Sequence, residues 1–328
     1  MRDRPDGLDD TDLTRLLGEG WRIRVSIMDY APVGFGDYHW IASGDDGRRW
    51  FVTAADLDHK TLLGPDPAVG LEQALATALA LSGRPGLEFV TAPVPAVDGR
   101  VTRACGDRYA VSVFPWLDAE VGTFDRPRDR AERAAVIDLL ACLHQARPPA
   151  GTPVQPIALT QRRSLLDALA DDPEPWPEAG PYSRPARQLI MDHRDALLAR
   201  LAEFDAIAAT LPTSPDDLVL THGEPHPGNL LRGPGGLHLI DWDTVGLAVP
   251  ERDLAGCGPT DEDLDRYAAA TGHPVDRRVI RGYHLRWDLE ETGLYADEFR
   301  RPHRDSPDKQ TAWDGLAESI AHLAVPQS

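Results

Sequence analysis

The chain has 328 residues, more than one compact core usually holds, so two lobes with a cleft between them are expected. Hydrophobic residues at 42% and charged residues at 27% fit a folded globular protein and exclude a fibrous or wholly disordered one. A formal charge of -19, from 34 Lys+Arg against 53 Asp+Glu, opposes binding to nucleic acid or an anionic membrane and favours a cationic small molecule as the guest.

Lys60 and Lys309 are the only lysines, so any function that needs one has two candidates. Cys105, Cys142 and Cys257 are odd in number, far apart and in no C-x-x-C pair, which disfavours a disulfide framework and makes a reducing cytoplasm the default compartment. The N-terminal stretch MRDRPDGLDDTDL lacks the apolar core of a signal peptide, and no run approaches the roughly 18 apolar residues of a membrane helix.

After a polar N-terminal segment, residues 21 to 54 read as three antiparallel strands. Their turns fall at Gly34-Phe35-Gly36 and at Asp46-Gly47. Leu71, Leu75, Ala78 and Leu79 then recur with the 3.6-residue period of a helix over Val69 to Leu81, ending at Gly83. Two more strands are expected around LEFVTAPVPAV (87–97) and RYAVSVFPWL (108–117), completing a five-stranded sheet with one helix.

Past Phe114 to Asp118 the pattern turns helical, at about 129–146, 161–171 and 185–209, with a Pro-rich loop over 171–185. DLVLTH (217–222) and LHLIDWD (237–243) form a β island, and helices resume from Asp261 to Leu323. The fold class is α+β, with a lobe over 1–116 and a mainly helical lobe over 117–328.

The most informative segment is Thr221-His222-Gly223-Glu224-Pro225-His226-Pro227-Gly228-Asn229, followed by Ile240-Asp241-Trp242-Asp243. A polar loop whose side chains only satisfy their own turns would explain any one of these residues. Acid and amide groups concentrated at strand ends point instead to a site. The H-G-E-P-H spacing resembles a zinc helix superficially, but Pro225, Pro227 and Gly228 break helices and the glutamate is offset. Phosphoryl transfer fits better: it needs one carboxylate to accept a hydroxyl proton, and a carboxylate with an amide to hold magnesium.

These residues resemble the aminoglycoside phosphotransferases and the related choline-kinase-like enzymes, whose signature runs H-G-D-x-H-x-x-N and then I-D-W or I-D-F. The resemblance implies a protein-kinase-like bilobal fold, with residues 1–116 as the nucleotide-binding lobe. It implies an ATP- and Mg2+-dependent kinase that phosphorylates a hydroxyl of a cationic small molecule, an antibiotic among the candidates. Glu224 stands at the catalytic aspartate, and Asn229 and Asp241 stand at the magnesium ligands. Asp243 has two readings, a second metal contact or a cap of the turn that follows. His222 and Asp253 stand where the family supports its catalytic loop. Gly34 and Gly36 match a phosphate-covering loop, which a plain hairpin turn explains equally well. Pro115 and Leu117 fall at the adenine-binding hinge.

The chain departs from that pattern in two places. Thr53 stands where the third strand carries its phosphate-binding lysine, leaving Lys60 as the substitute within reach, or else as a solvated loop residue. Arg49 shares the strand face of Thr53, and Glu72 matches the helix glutamate that holds the kinase lysine. Glu224 adds one methylene to the catalytic carboxylate. Substrate contacts are expected from Asp288, Glu291 and Tyr295, whose carboxylate and aromatic character suits an amino-sugar, although an exposed acidic helix face has the same composition. The missing strand lysine also admits a second function, a kinase-fold binding protein that has lost catalysis.

Overall fold

The computed structural model describes residues 1–122, 128–170, 176, 178–233 and 235–325. Helix α1 (Asp10–Trp21) opens the chain, with the Asp9 side chain accepting from the Thr11 and Asp12 amides as its N-cap. Its composition reads as a polar segment, which hides the helix. Its Leu13, Leu17 and Trp21, spaced by four, bury one helix face against the sheet that follows.

That sheet contains β1 (Val25–Ala31), β2 (Asp37–Gly44), β3 (Arg49–Asp56), β4 (Arg103–Cys105) and β5 (Tyr109–Pro115), in the order β1-β2-β3-β5-β4 and antiparallel throughout. Period-two alternation turns Trp40 and Ala42 of β2, and Trp50, Val52 and Ala54 of β3, into the core under α1. His39, Phe51 and Thr53 lie on the opposite face.

The sheet's last strand is not the expected 87–97 segment. Pro93 and Pro95 cannot donate to a ladder, and this stretch touches β5 through the Val94 N–H to Val113 carbonyl bond of 2.7 Å, while Arg103–Cys105 pairs as the strand.

Between β3 and β4 lie two single-turn 3-10 helices, Leu57–His59 and Thr61–Leu63, and then α2 (Pro67–Leu81). Gly70 of α2 packs so tightly on Leu63 that a Cβ would meet the Leu63 carbonyl oxygen at 2.1 Å, which explains a glycine inside a helix despite its poor propensity.

After β6 (Glu120–Val121) come α3 (Arg130–Gln145), α4 (Arg162–Ala168), α5 (Ser183–Asp192) and α6 (Arg194–Ala208). The expected 185–209 helix is therefore two, broken at His193, and the Pro-rich loop lies partly outside the described residues. The β island is built from β7 (Val219–Thr221), β8 (Leu230–Gly233), β9 (Gly236–Leu239) and β10 (Gly246–Ala248). Of these β8 pairs with β6 and β9, and β7 with β10. Helices α7 (Glu251–Cys257), α8 (Asp261–Thr271), α9 (Arg277–Arg300) and α10 (Pro307–Ala324) complete the chain.

Two compact units result. The first joins residues 3–156 to 213–275, so the sheet and the β island belong to one body; the second contains 157–212 and 276–328. The second unit has its own core, in which Leu165, Phe204, Leu289, Phe299 and Leu316 are buried. Among the described residues no helix is long and apolar enough to cross a membrane. The three cysteines are free.

Candidate active site

The loop from His222 to Asn229 owes its shape to one buried carboxylate. Asp253 of α7 accepts from the backbone N–H of His222 at 2.8 Å, from that of Gly223 at 2.6 Å and from His144 Nε2 at 3.0 Å. His144 in turn pairs with the Tyr267 hydroxyl at 2.7 Å. Burial alone would raise the pKa of Asp253, yet these partners hold it below the ordinary range, so it is a carboxylate inside the protein.

Gly223 has φ of +108°, and a Cβ there would collide with Arg252 and Thr244, whose groups bind Thr221 and His222 across the same turn. His222 is fully buried. One ring nitrogen contacts the Ile240 carbonyl at 2.9 Å and the other accepts from the Glu224 N–H at 3.2 Å, while Trp242 packs edge-on at 4.7 Å. Burial lowers its pKa to about 4, so the ring is neutral and ties Glu224 to the segment after β9 that carries Asp241.

Asn229 ends the short turn Pro227–Asn229 and donates to the Glu224 carbonyl at 3.0 Å, and its own carbonyl accepts from the Ile240 N–H. The Asn229 side chain thus ties to the Glu224 backbone, and the Asn229 backbone ties to Ile240, the residue before Asp241. Asp241 has φ of +65°, a left-handed conformation uncommon outside glycine, asparagine and aspartate and a frequent companion of active sites. Asp241 is exposed at its surface but walled by protein. Desolvation pushes its pKa well above the usual value, the Asp243 and Glu224 charges add to this, and Lys60 opposes it.

Lys60 is not a solvated loop residue. Its ammonium lies 2.6 Å from Asp243 Oδ2 and 3.0 Å from Asp37 Oδ2, with only 18% of its side chain exposed. Burial disfavours its charge, but Asp243, Asp37 and Asp241 outweigh that and hold its pKa well above the ordinary lysine value. Thr53 faces His39, which contacts its hydroxyl at 3.2 Å and stacks on Phe51 at 4.9 Å. Burial lowers the His39 pKa to about 3.

Arg49 turns away from this face. Its guanidinium lies over Trp116 at 4.5 Å and pairs with Asp118 at 2.8 Å, just past the end of β5. An open groove of about 560 Å³ lies there, lined by Trp116, Leu117, Glu120 and Arg232 among others. Gly34 and Gly36 both adopt positive φ, at +68° and +102°, in the turn between β1 and β2.

Asp288, Glu291 and Tyr295 are spaced three and four apart on α9, which puts them on one face, and that face packs on α10. Asp288 contacts His322 at 3.2 Å, Glu291 accepts from Ser319 at 3.1 Å, and Tyr295 is 3% exposed. The structure thus places all three groups against α10 within the second unit, with Asp288 and Glu291 each engaged by a side chain of that helix.

A sequence model described as the phosphotransferase enzyme family, APH, matches residues 34–295, and the chain belongs to that family of small-molecule phosphotransferases. Among curated proteins no sequence match is found. Spectinomycin phosphotransferase, solved with ADP and spectinomycin, superposes with a TM-score of 0.70 at 15% identity, covering 97% of this chain and 98% of that one. An amicoumacin kinase solved with AMP-PNP and Ca2+ gives 0.59 at 13% identity, with 97% and 93% covered. A microcompartment-associated aminopropanol kinase gives 0.59 at 18%, with 96% of each covered. These likenesses establish the α+β kinase-like fold.

Proposed function

We propose that the protein moves the γ-phosphoryl group of ATP to a hydroxyl of a cationic small molecule, an aminoglycoside-like or other antibiotic, and so confers resistance from the cytoplasm. One observation carries this reading: the Asn229 side chain bonds the Glu224 carbonyl and its backbone bonds Ile240, next to Asp241, which takes a left-handed conformation two residues before Asp243, the partner of Lys60.

In that arrangement Glu224 accepts the proton of the attacking hydroxyl. Asp241 and Asn229, with Asp243, would hold magnesium, which supplies charge neutralisation at the phosphates. Among the described residues no group of three or more His, Cys, Asp or Glu could hold a metal. Two carboxylates and an amide nonetheless suit magnesium, which completes its octahedron with water and phosphate oxygens. Gly34 and Gly36 would cover the phosphates, and the backbone of Pro115 and Leu117 would face adenine. The functional division at residue 116 follows, with nucleotide handled above it and the acceptor below.

A cationic acceptor is supported by the acidic chain and by the amino alcohol named for one structural neighbour. The test is ADP release from Mg-ATP across aminocyclitols, amino-sugars and amino alcohols. A subset should turn over, and Glu224→Gln should lower that rate about 10²- to 10⁴-fold with nucleotide binding intact. No release with any acceptor would sink the proposal, and Mg-ATP binding without release would favour the catalytically impaired alternative.

A further inference from the structure

The kinase pattern holds its phosphate-binding lysine with a helix glutamate, and this chain has spent both positions otherwise. Glu72 accepts from the Val101 N–H at 3.0 Å, the Thr102 N–H at 2.9 Å and the Thr102 hydroxyl, so it closes a turn 30 residues further on. Thr53 is engaged with His39.

Meanwhile Asp37, at the first position of β2 behind the glycine turn, is 8% exposed, and its Oδ1 is buried with no hydrogen-bond partner among the described residues. A buried carboxylate with one oxygen unsatisfied is costly. It is least expected at a phosphate site in a protein of charge -19. Its Oδ2 makes one ion pair, 3.0 Å from Lys60.

We propose that Asp37 is a positioning residue for phosphoryl transfer. Its carboxylate holds the Lys60 ammonium at the Asp241/Asp243 edge, so that a pair formed by β2 and the loop after β3 does the work of a strand lysine and a helix glutamate. The inference rests on the reading of the protein as an ATP-dependent kinase.

The chemistry balances without movement of the main chain. An ammonium has three N–H donors. One is aimed at Asp37 and one at Asp243. The third, and the second once Asp243 is given up, can meet phosphate oxygens while Asp37 keeps hold of the first.

The segment that presents Lys60 is fixed from both sides. Asp56, 1% exposed, binds Arg108 at 2.5 Å and His59 at 3.0 Å, and the Lys60 N–H returns to the Leu57 carbonyl. On the far side Leu63 lies against Gly70.

The experiment is a double-mutant cycle on the full chain, reading Mg-AMP-PNP affinity by calorimetry and the apo melting temperature. Lys60→Met and Asp37→Asn should each weaken binding about 10- to 100-fold, the scale of one charge-assisted hydrogen bond. The double variant should be no weaker than Lys60→Met, because Asp37 acts through Lys60. Additive losses, or wild-type affinity in either single variant, overturn the proposal. Should Asp37→Asn fail to fold, Asp37→Glu, which keeps the charge and displaces it, takes its place; unchanged affinity there also overturns it. A wild-type chain that binds no Mg-AMP-PNP overturns the kinase reading itself, whereas binding that all variants retain removes this inference alone.

Discussion

The loop around Glu224 and the segment that follows the third strand of the sheet position their polar groups in different ways. The loop has its chemical groups in the register of the family motif, whereas the strand carries threonine at position 53 and Lys60, seven residues later, makes the ion pairs. The loop's geometry is written in backbone amides: Asp253 binds two of them, His222 a third, and Asn229 bonds the Glu224 carbonyl. None of these can shift along the chain without breaking the others. A lysine delivers a point charge at the end of four methylenes, and any nearby backbone position with the right reach can supply it.

This contrast is best broken at Asp253. Asp253→Ala leaves three buried donors unsatisfied, at roughly 1–3 kcal/mol each, so a loss of at least about 3 kcal/mol is expected in urea denaturation, with turnover abolished. A loss under about 1 kcal/mol would show that the loop holds itself.

The pH dependence probes the same region. His222 titrates at about 4 in the folded protein against an ordinary 6.5, so the unfolded chain binds the extra proton first as the pH falls. Its contribution is complete above pH 6.5 and is lost progressively toward pH 4, amounting to about 3 kcal/mol. Urea midpoints across that window measure it, and a His222→Gln variant should show a shallower decline.

Arg49 sharpens the other side. Its pairs are exposed, so Arg49→Ala should cost less than about 1 kcal/mol and leave Mg-AMP-PNP affinity unchanged, in contrast to Lys60→Met. Equal losses at both positions would return the phosphate contact to the strand.

The residues that were legible in the sequence were those whose meaning is local. Gly34, Gly36 and the His222–Asn229 run carry their turn chemistry with them, and α2 and α3 follow from apolar spacing to within two residues at either end. What escaped depended on distant partners. Helix α1 reads as polar until its Leu13, Leu17 and Trp21 are set against the sheet. Pro93 and Pro95 disqualify an apolar run as a strand and hand its place to three residues of modest β character. Glu72 finds backbone donors at Val101 and Thr102, and Asp288 and Glu291 find α10, neither of which periodicity on one helix can show. Asp37 gave no sign at all, because its meaning lies in burial beside Lys60.

The glycine at position 70 acquires a role from this geometry that its own surroundings conceal. It touches no reacting group, yet any side chain there would push Leu63 and with it the turn that presents Lys60. Under the proposed role of Lys60, control over phosphate handling extends into the body of a helix whose visible task is packing, and a substitution at Gly70 is expected to act as a remote modulator of nucleotide affinity as well as a lesion in the core.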